Sequence, residues 1–80
     1  MRLPRDVSGS DLAHILRKLG YSITRQTGSH LRLTTTEHGE HHITIPQHNP
    51  LRIGTLSAIL TDVALHFELT REQLHQQLFE

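Results

Sequence analysis

The stretch HLRLTTTEHGEHHITIP, residues 30–46, decides the fold. Leu31 and Leu33 alternate with polar residues, and beyond Glu37-His38-Gly39 the alternation resumes at Ile43 and Ile45. A period of two marks a strand with one buried face, because successive side chains point to opposite sides of a sheet. Two such strands form a hairpin with a single apolar face only if Leu33 lies opposite Ile43 and Leu31 opposite Ile45. A three-residue loop with Gly39 in the left-handed conformation produces that register. His30, Arg32, Thr34, His42 and Thr44 are then gathered on the other face, so His30 is expected to point away from the core.

Upstream of the hairpin, YSITRQT (residues 21–27) is a further short run rich in threonine and isoleucine, set off by Gly28, and reads as a first strand. Before it, Leu12, Ile15, Leu16 and Leu19 recur at the spacing of one helix face, which predicts a helix over about residues 9–19. Ser8 with Asp11, or Ser10 with Asp11 in the first turn, caps its start, and Gly20 is placed to end it. Downstream, Pro46 and Pro50 bound a connecting loop that carries His48. Leu56, Ile59, Leu60 and Val63 repeat the helical stripe from about Gly54 or Thr55, and Thr70 with Gln73 forms a capping box for a terminal helix carrying Leu74 and Leu78. The order predicts an α+β fold of two layers, a three-stranded antiparallel sheet with helices packed on one face, as one domain over residues 1–80.

Eighty residues without cysteine must be held by a small apolar core alone, since no disulfide or thiolate metal site is available. No apolar run approaches the roughly 18 residues that span a bilayer, and residues 1–5 do not lead into a secretion signal. A soluble protein of the reducing cytoplasm is the expectation, with no membrane partner. Lysine plus arginine equals aspartate plus glutamate at eight each, but the charges are segregated. Arg17, Lys18, Arg25 and Arg32 fall between Leu12 and Thr36 with no acid, whereas Asp62, Glu68, Glu72 and Glu80 face Arg71 alone toward the end. The middle of the chain is therefore locally basic, although charge blocks are often only solvated surface.

Eight histidines invite a metal reading, and His38-Gly39-Glu40-His41-His42 is the densest cluster. It matches no zinc motif, and alternation along a strand sends His41 and His42 to opposite faces, so no metal and no cofactor are expected. Nucleophile elbows, phosphate loops and paired glycosidase carboxylates are also missing, which removes most enzyme classes. What remains is acid–base work on a substrate that carries its own nucleophile. RNA is such a substrate: its 2′-hydroxyl can attack the adjacent phosphate while a histidine moves protons and arginine or lysine steadies the charge. His30, behind Gly28-Ser29 and beside Arg32, is the histidine best placed for this.

L-x-x-L-G-Y-x-x-x-R-Q-x-G-S-H at residues 16–30, I-x-I-P-x-H at residues 43–48 and G-T-L-x-x-I-L at residues 54–60 together resemble the HicA-type (YcfA/HicA) mRNA interferase toxins of bacterial toxin–antitoxin pairs. The resemblance implies a fold similar to a double-stranded-RNA-binding domain, cleavage of messenger RNA, and a cognate HicB-type antitoxin. It also implies that His30 is the catalytic histidine. The chain departs from the family in its neutral charge and in having Ile53 and Ser57 where lysine or arginine is common. On this reading Ser29, Arg32, Arg25 and Lys18 hold the RNA phosphate and backbone, and His48 or His42 serves as a second proton carrier. A noncatalytic module of the same fold that binds RNA or protein is the alternative. The aromatics Tyr21, Phe67 and Phe79 do not fall on the open face, so base stacking on a sheet platform is not expected, and the sequence ranks no oligomeric state.

Overall fold

The computed structural model describes residues 3–80; the first two residues of the N-terminal lead lie outside that range. The order is α1 (Gly9–Ile15), a 3-10 turn (Leu16–Leu19), β1 (Ser22–Thr27), β2 (His30–Thr35), β3 (His41–Pro46), α2 (Ile53–Phe67) and α3 (Arg71–Phe79). This is the α+β arrangement expected, with the first helix tightening into 3-10 geometry for its last turn. Ser8 and Asp11 form the capping box at its start, and Gly20, at φ 84°, ends it in the left-handed conformation. Thr70 and Gln73 cap α3 in the same reciprocal way. Helix α2 begins at Ile53, a residue or two earlier than the sequence placed it, with Arg52 in the cap position and no side-chain cap.

The strands form an open antiparallel sheet in the order β1-β2-β3. Leu33 pairs with Ile43 and Leu31 with Ile45, as the apolar pattern requires. The loop between β2 and β3 is longer than three residues: pairing stops at Thr35 with His41, and His38 (φ 59°) and Gly39 (φ 96°) are both left-handed. The side chains there have other partners, which is why pairing stops. The Thr35 hydroxyl donates to the Leu19 carbonyl (2.9 Å) and accepts from the Glu37 amide (3.1 Å). Thr35 is the only buried polar residue among those described, and with both bonds made its burial costs little.

All three helices lie on the face that carries Leu31, Leu33, Ile43 and Ile45. Helix α1 packs on β2 and β3, α2 on β3, and α3 against α2 and the 3-10 turn. Leu12 and Leu16, Leu56, Leu60 and Val63, and Leu74 and Leu78 complete one cluster around Tyr21, which is itself buried. Strand β1 overhangs this layer. A register shift between Ile23 and Arg25 bends it, every residue in it is exposed, and Ile23 is 53% accessible although it lies on the helix side. Among the described residues no helix is long and apolar enough to cross a membrane.

Gly9 sets the distance between α1 and the sheet. A Cβ at this position would stand 2.1 Å from the Pro46 carbonyl oxygen, and the Gly9 amide donates to the His48 carbonyl at 2.9 Å. Only hydrogen at the α-carbon lets the helix start so close to the end of β3. Gly9→Ala should therefore cost about 1–3 kcal/mol in urea unfolding, against a change of under about 0.5 kcal/mol for an exposed control such as Ser10→Ala; equal effects would show that the contact relaxes freely.

Candidate active site

Thr27 pairs with His30, so Gly28 and Ser29 alone make the turn between β1 and β2. Gly28 takes φ 52°, and a Cβ there would meet nothing within 4 Å, which leaves open space over the turn. The Ser29 carbonyl accepts from the Gln47 amide at 2.6 Å, and His30 pairs with Pro46. Through the Gly9 amide, the start of α1 is bonded to His48 as well. Three separate segments, residues 28–30, residues 46–48 and the first turn of α1, are thus tied backbone to backbone at one end of the sheet. His30 stands there exposed, on the face away from the helices.

Next to it on the same face, Arg25 lies directly opposite Arg32 across the β1–β2 ladder. Like charges in that position repel, an arrangement that a bound anion relieves. No ion pair among the described residues uses either guanidinium, and none of the three strands contains an acid. Threonine hydroxyls and His42 share the face. Thr44 pairs with Arg32, and the Thr24 hydroxyl shares a hydrogen bond with that of Thr34 at 2.9 Å. A histidine on the same face as two guanidiniums without ion-pair partners is an arrangement that can receive a phosphodiester.

The other residues expected at the site divide into two groups. His48 is brought to the same end as His30 by the backbone bonds just described. His42 is on the right face but at the wrong end: it pairs with Thr34, four residues along β2 from His30, or about 13 Å at the rise of a strand. Its ring is occupied there by the Thr34 hydroxyl (2.8 Å) and the Glu40 carboxylate (2.7 Å). Lys18 is turned into the helical layer, where its ammonium donates to the Leu78 carbonyl at 3.0 Å and caps the end of α3.

A family model described as the HicA toxin of bacterial toxin–antitoxin systems matches residues 9–65, well over half of the chain and the whole of the described site. The chain belongs to the HicA toxin family. A toxin role, and pairing with an antitoxin, follow from that membership. No curated protein and no solved structure matched the chain.

At its other end the HicA sheet carries a histidine cluster that the sequence showed as a run but could not assign. His41 points inward, as alternation predicts, and joins Tyr21 (2.7 Å, Oη to Nδ1) to Asp62 of α2 (3.2 Å from Nε2). His66 of α2 stacks on His41 with ring centroids 4.4 Å apart, and its Nε2–H is shared between the Glu37 and Gly39 carbonyls. His38 bonds Glu68 at 2.8 Å. No metal-holding group of three or more histidines, cysteines or acids is present among the described residues; each ring has a different partner. The partners Asp62, His66 and Glu68 lie some twenty or more residues beyond the run, and no local spacing announces them.

The Tyr21–His41–Asp62 chain looks catalytic but is structural, because its phenol is inaccessible. Burial first, and the Asp62 charge second, push the Tyr21 phenol well above its ordinary value near 10. The folded protein thus keeps this proton where the unfolded chain gives it up. Tyr21 therefore contributes stability that is complete below about pH 10 and is lost as pH rises past that point toward the folded-state value. It is the single tyrosine, so tyrosinate absorbance reports it alone. The absorbance is expected to rise together with unfolding, not before it, and Tyr21→Phe is expected to flatten the fall of stability above about pH 10; tyrosinate formed in the native state would contradict this.

Proposed function

We propose that the HicA chain is a metal-independent endoribonuclease that cleaves mRNA, single-stranded or structured, with His30 as its principal proton carrier. The observation that supports this most directly is the placement of His30: exposed on the open face, at the tip of a turn with free space above Gly28, and beside the unpaired Arg25 and Arg32. The reaction needs little more. A base takes the proton of the 2′-hydroxyl, O2′ bonds to phosphorus, the bond to O5′ breaks, and an acid returns a proton to O5′. The products are a 2′,3′-cyclic phosphate and a 5′-hydroxyl. Arg25 and Arg32 offset the charge that grows on the non-bridging oxygens, and Ser29 orients the backbone at the turn.

Base and acid act on different oxygens, so a second carrier would help. His48, whose backbone is tied to the same end of the sheet, is our candidate, with water as the alternative, whereas His42 is too far along the strand. The partner reading uses the same surface. A HicB-type antitoxin that silences the toxin covers the open face, buries His30 and meets Arg25 and Arg32 with carboxylates.

His30→Ala, purified and assayed at low salt in chelator on a mixture of single-stranded and hairpin RNA, should lose about 100-fold or more of the cleavage rate, with urea stability unchanged. Cyclic phosphate ends on the wild-type fragments test the route. Equal cleavage by both chains would remove His30 from the mechanism, and no cleavage by the wild type would favour a noncatalytic binding module. Arg25→Gln and Arg32→Gln should each lower the slope of log affinity against log salt for RNA by about one phosphate contact while leaving the fold as stable or slightly more so, since each removes the facing like charge.

A further inference from the structure

Under the overhang of β1, on the helix side of the sheet, a groove of about 530 Å³ runs between that strand and α1. Ile23 and Leu31 contribute apolar lining, Gln26 and Gln47 contribute amide side chains, and His14 and Arg17 line it as well. No acid lines it. The volume is within the usual range for small-ligand sites, about 300–1,000 Å³.

We infer that this groove holds a nucleobase of the RNA next to the phosphate at His30, and that Gln26 and Gln47 read its edge. The inference rests on the nuclease reading of the open face and extends it to substrate selection. Four observations carry it. The apolar lining offers a flat aromatic ring the contact that the open face, which lacks aromatics, cannot offer. The two amides each present a donor and an acceptor, the pattern that base edges require. Arg17 supplies positive charge with no acid among the lining residues, which favours a phosphate-bearing ligand over an acyl chain or a neutral peptide. Finally, the groove and the proposed scissile position share their framework. Gln26 pairs with Leu31, the residue after His30; Thr27 pairs with His30; and the Gln47 amide is bonded to the Ser29 carbonyl. A chain whose phosphate sits at the turn can therefore pass one base around the end of β1 into the groove.

The sequence alone does not reveal this site. Ile23 reads as an ordinary inward position of its strand, and the bend in β1 leaves it exposed.

The test uses the wild-type chain and two measurements. Amide chemical shifts are followed on titration with each of the four nucleoside 3′-monophosphates and with ribose phosphate, and cut sites are mapped in a random-sequence RNA pool. Saturable shifts at Ile23, Gln26 and Gln47 are expected with the nucleotides and not with ribose phosphate, with one base preferred. The pool should show a matching preference beside the cut. Gln26→Ala should weaken the preferred nucleotide about tenfold and flatten the preference. Shifts confined to His30, Arg25 and Arg32, with cleavage that is indifferent to sequence, would overturn the groove and leave the nuclease standing. Groove shifts without cleavage would keep the base site and overturn the nuclease. Neither shifts nor cleavage would overturn both, leaving the groove to a polypeptide.

Discussion

A strand buried on one face has two settings, and a slip of one residue exchanges them. In β2 the choice is made by Leu31 and Leu33, which can reach the helical layer only if they face Ile45 and Ile43 across the ladder. With the leucines inward, His30 and Arg32 are outward; the register shift between Ile23 and Arg25 then sets Arg25, in place of Thr24, opposite Arg32. The burial energy of four aliphatic side chains, about 1.5–3 kcal/mol each, is far larger than the repulsion between two exposed guanidiniums. The core therefore holds the cationic pair in place, and the site does not have to assemble itself.

The two ends of the sheet are built differently, and the difference suits a working end and an anchoring end. At the loop between β2 and β3, the side chains of His38, His41 and His66 are used up in contacts to α2 or from it, with Tyr21 and Thr35 buried behind them. At the opposite end the contacts are made by backbone: Ser29 to Gln47 and Gly9 to His48. Backbone bonds hold the segments while leaving the side chains of Ser29, His30 and His48 outside the scaffold. His41, by contrast, has both ring nitrogens engaged, one by Tyr21 and the other by Asp62.

What could be read in the sequence is what depends on short spacing. Alternation gave the register of Leu33 with Ile43 and the outward direction of His30; the i, i+3, i+4 stripes gave α1 and α2; Ser8 with Asp11 and Thr70 with Gln73 gave two caps, since each involves residues three apart. The features that escaped are long-range or depend on distortion. Lys18 reads as part of a basic stretch, but it is drawn to a carbonyl sixty residues away. His42 shares a face with His30, yet distance along the strand separates their functions, and face alone does not encode distance. Alternation assumes a regular strand, so the bend in β1 that exposes Ile23 and opens the groove was not legible either. Fold and face were accessible from periodicity; the contents of the site needed the coordinates.

Net charge is a poor guide to this surface. The total is zero, which by itself does not favour the proposed partner made of phosphates. Yet Glu40, Asp62, Glu68 and Glu80 each face a histidine, and Asp11 is committed to the cap of α1. Of these, Glu40, Asp62 and Glu68 lie at the loop end of the sheet, and screening in physiological salt limits their reach to about 8 Å, so they contribute little field at the His30 end. Arg25 and Arg32 have no such partners, and with no acid on any strand the open face stays positive although the molecule as a whole is neutral. A neutral total with a local cationic face also disfavours indiscriminate attachment to nucleic acid, because only a phosphate that reaches this end gains from it. On the proposed nuclease reading, binding then depends on contacts at the turn and in the adjoining groove more than on long-range attraction, which is the condition under which the choice of RNA can be made by the shape and edge of a base.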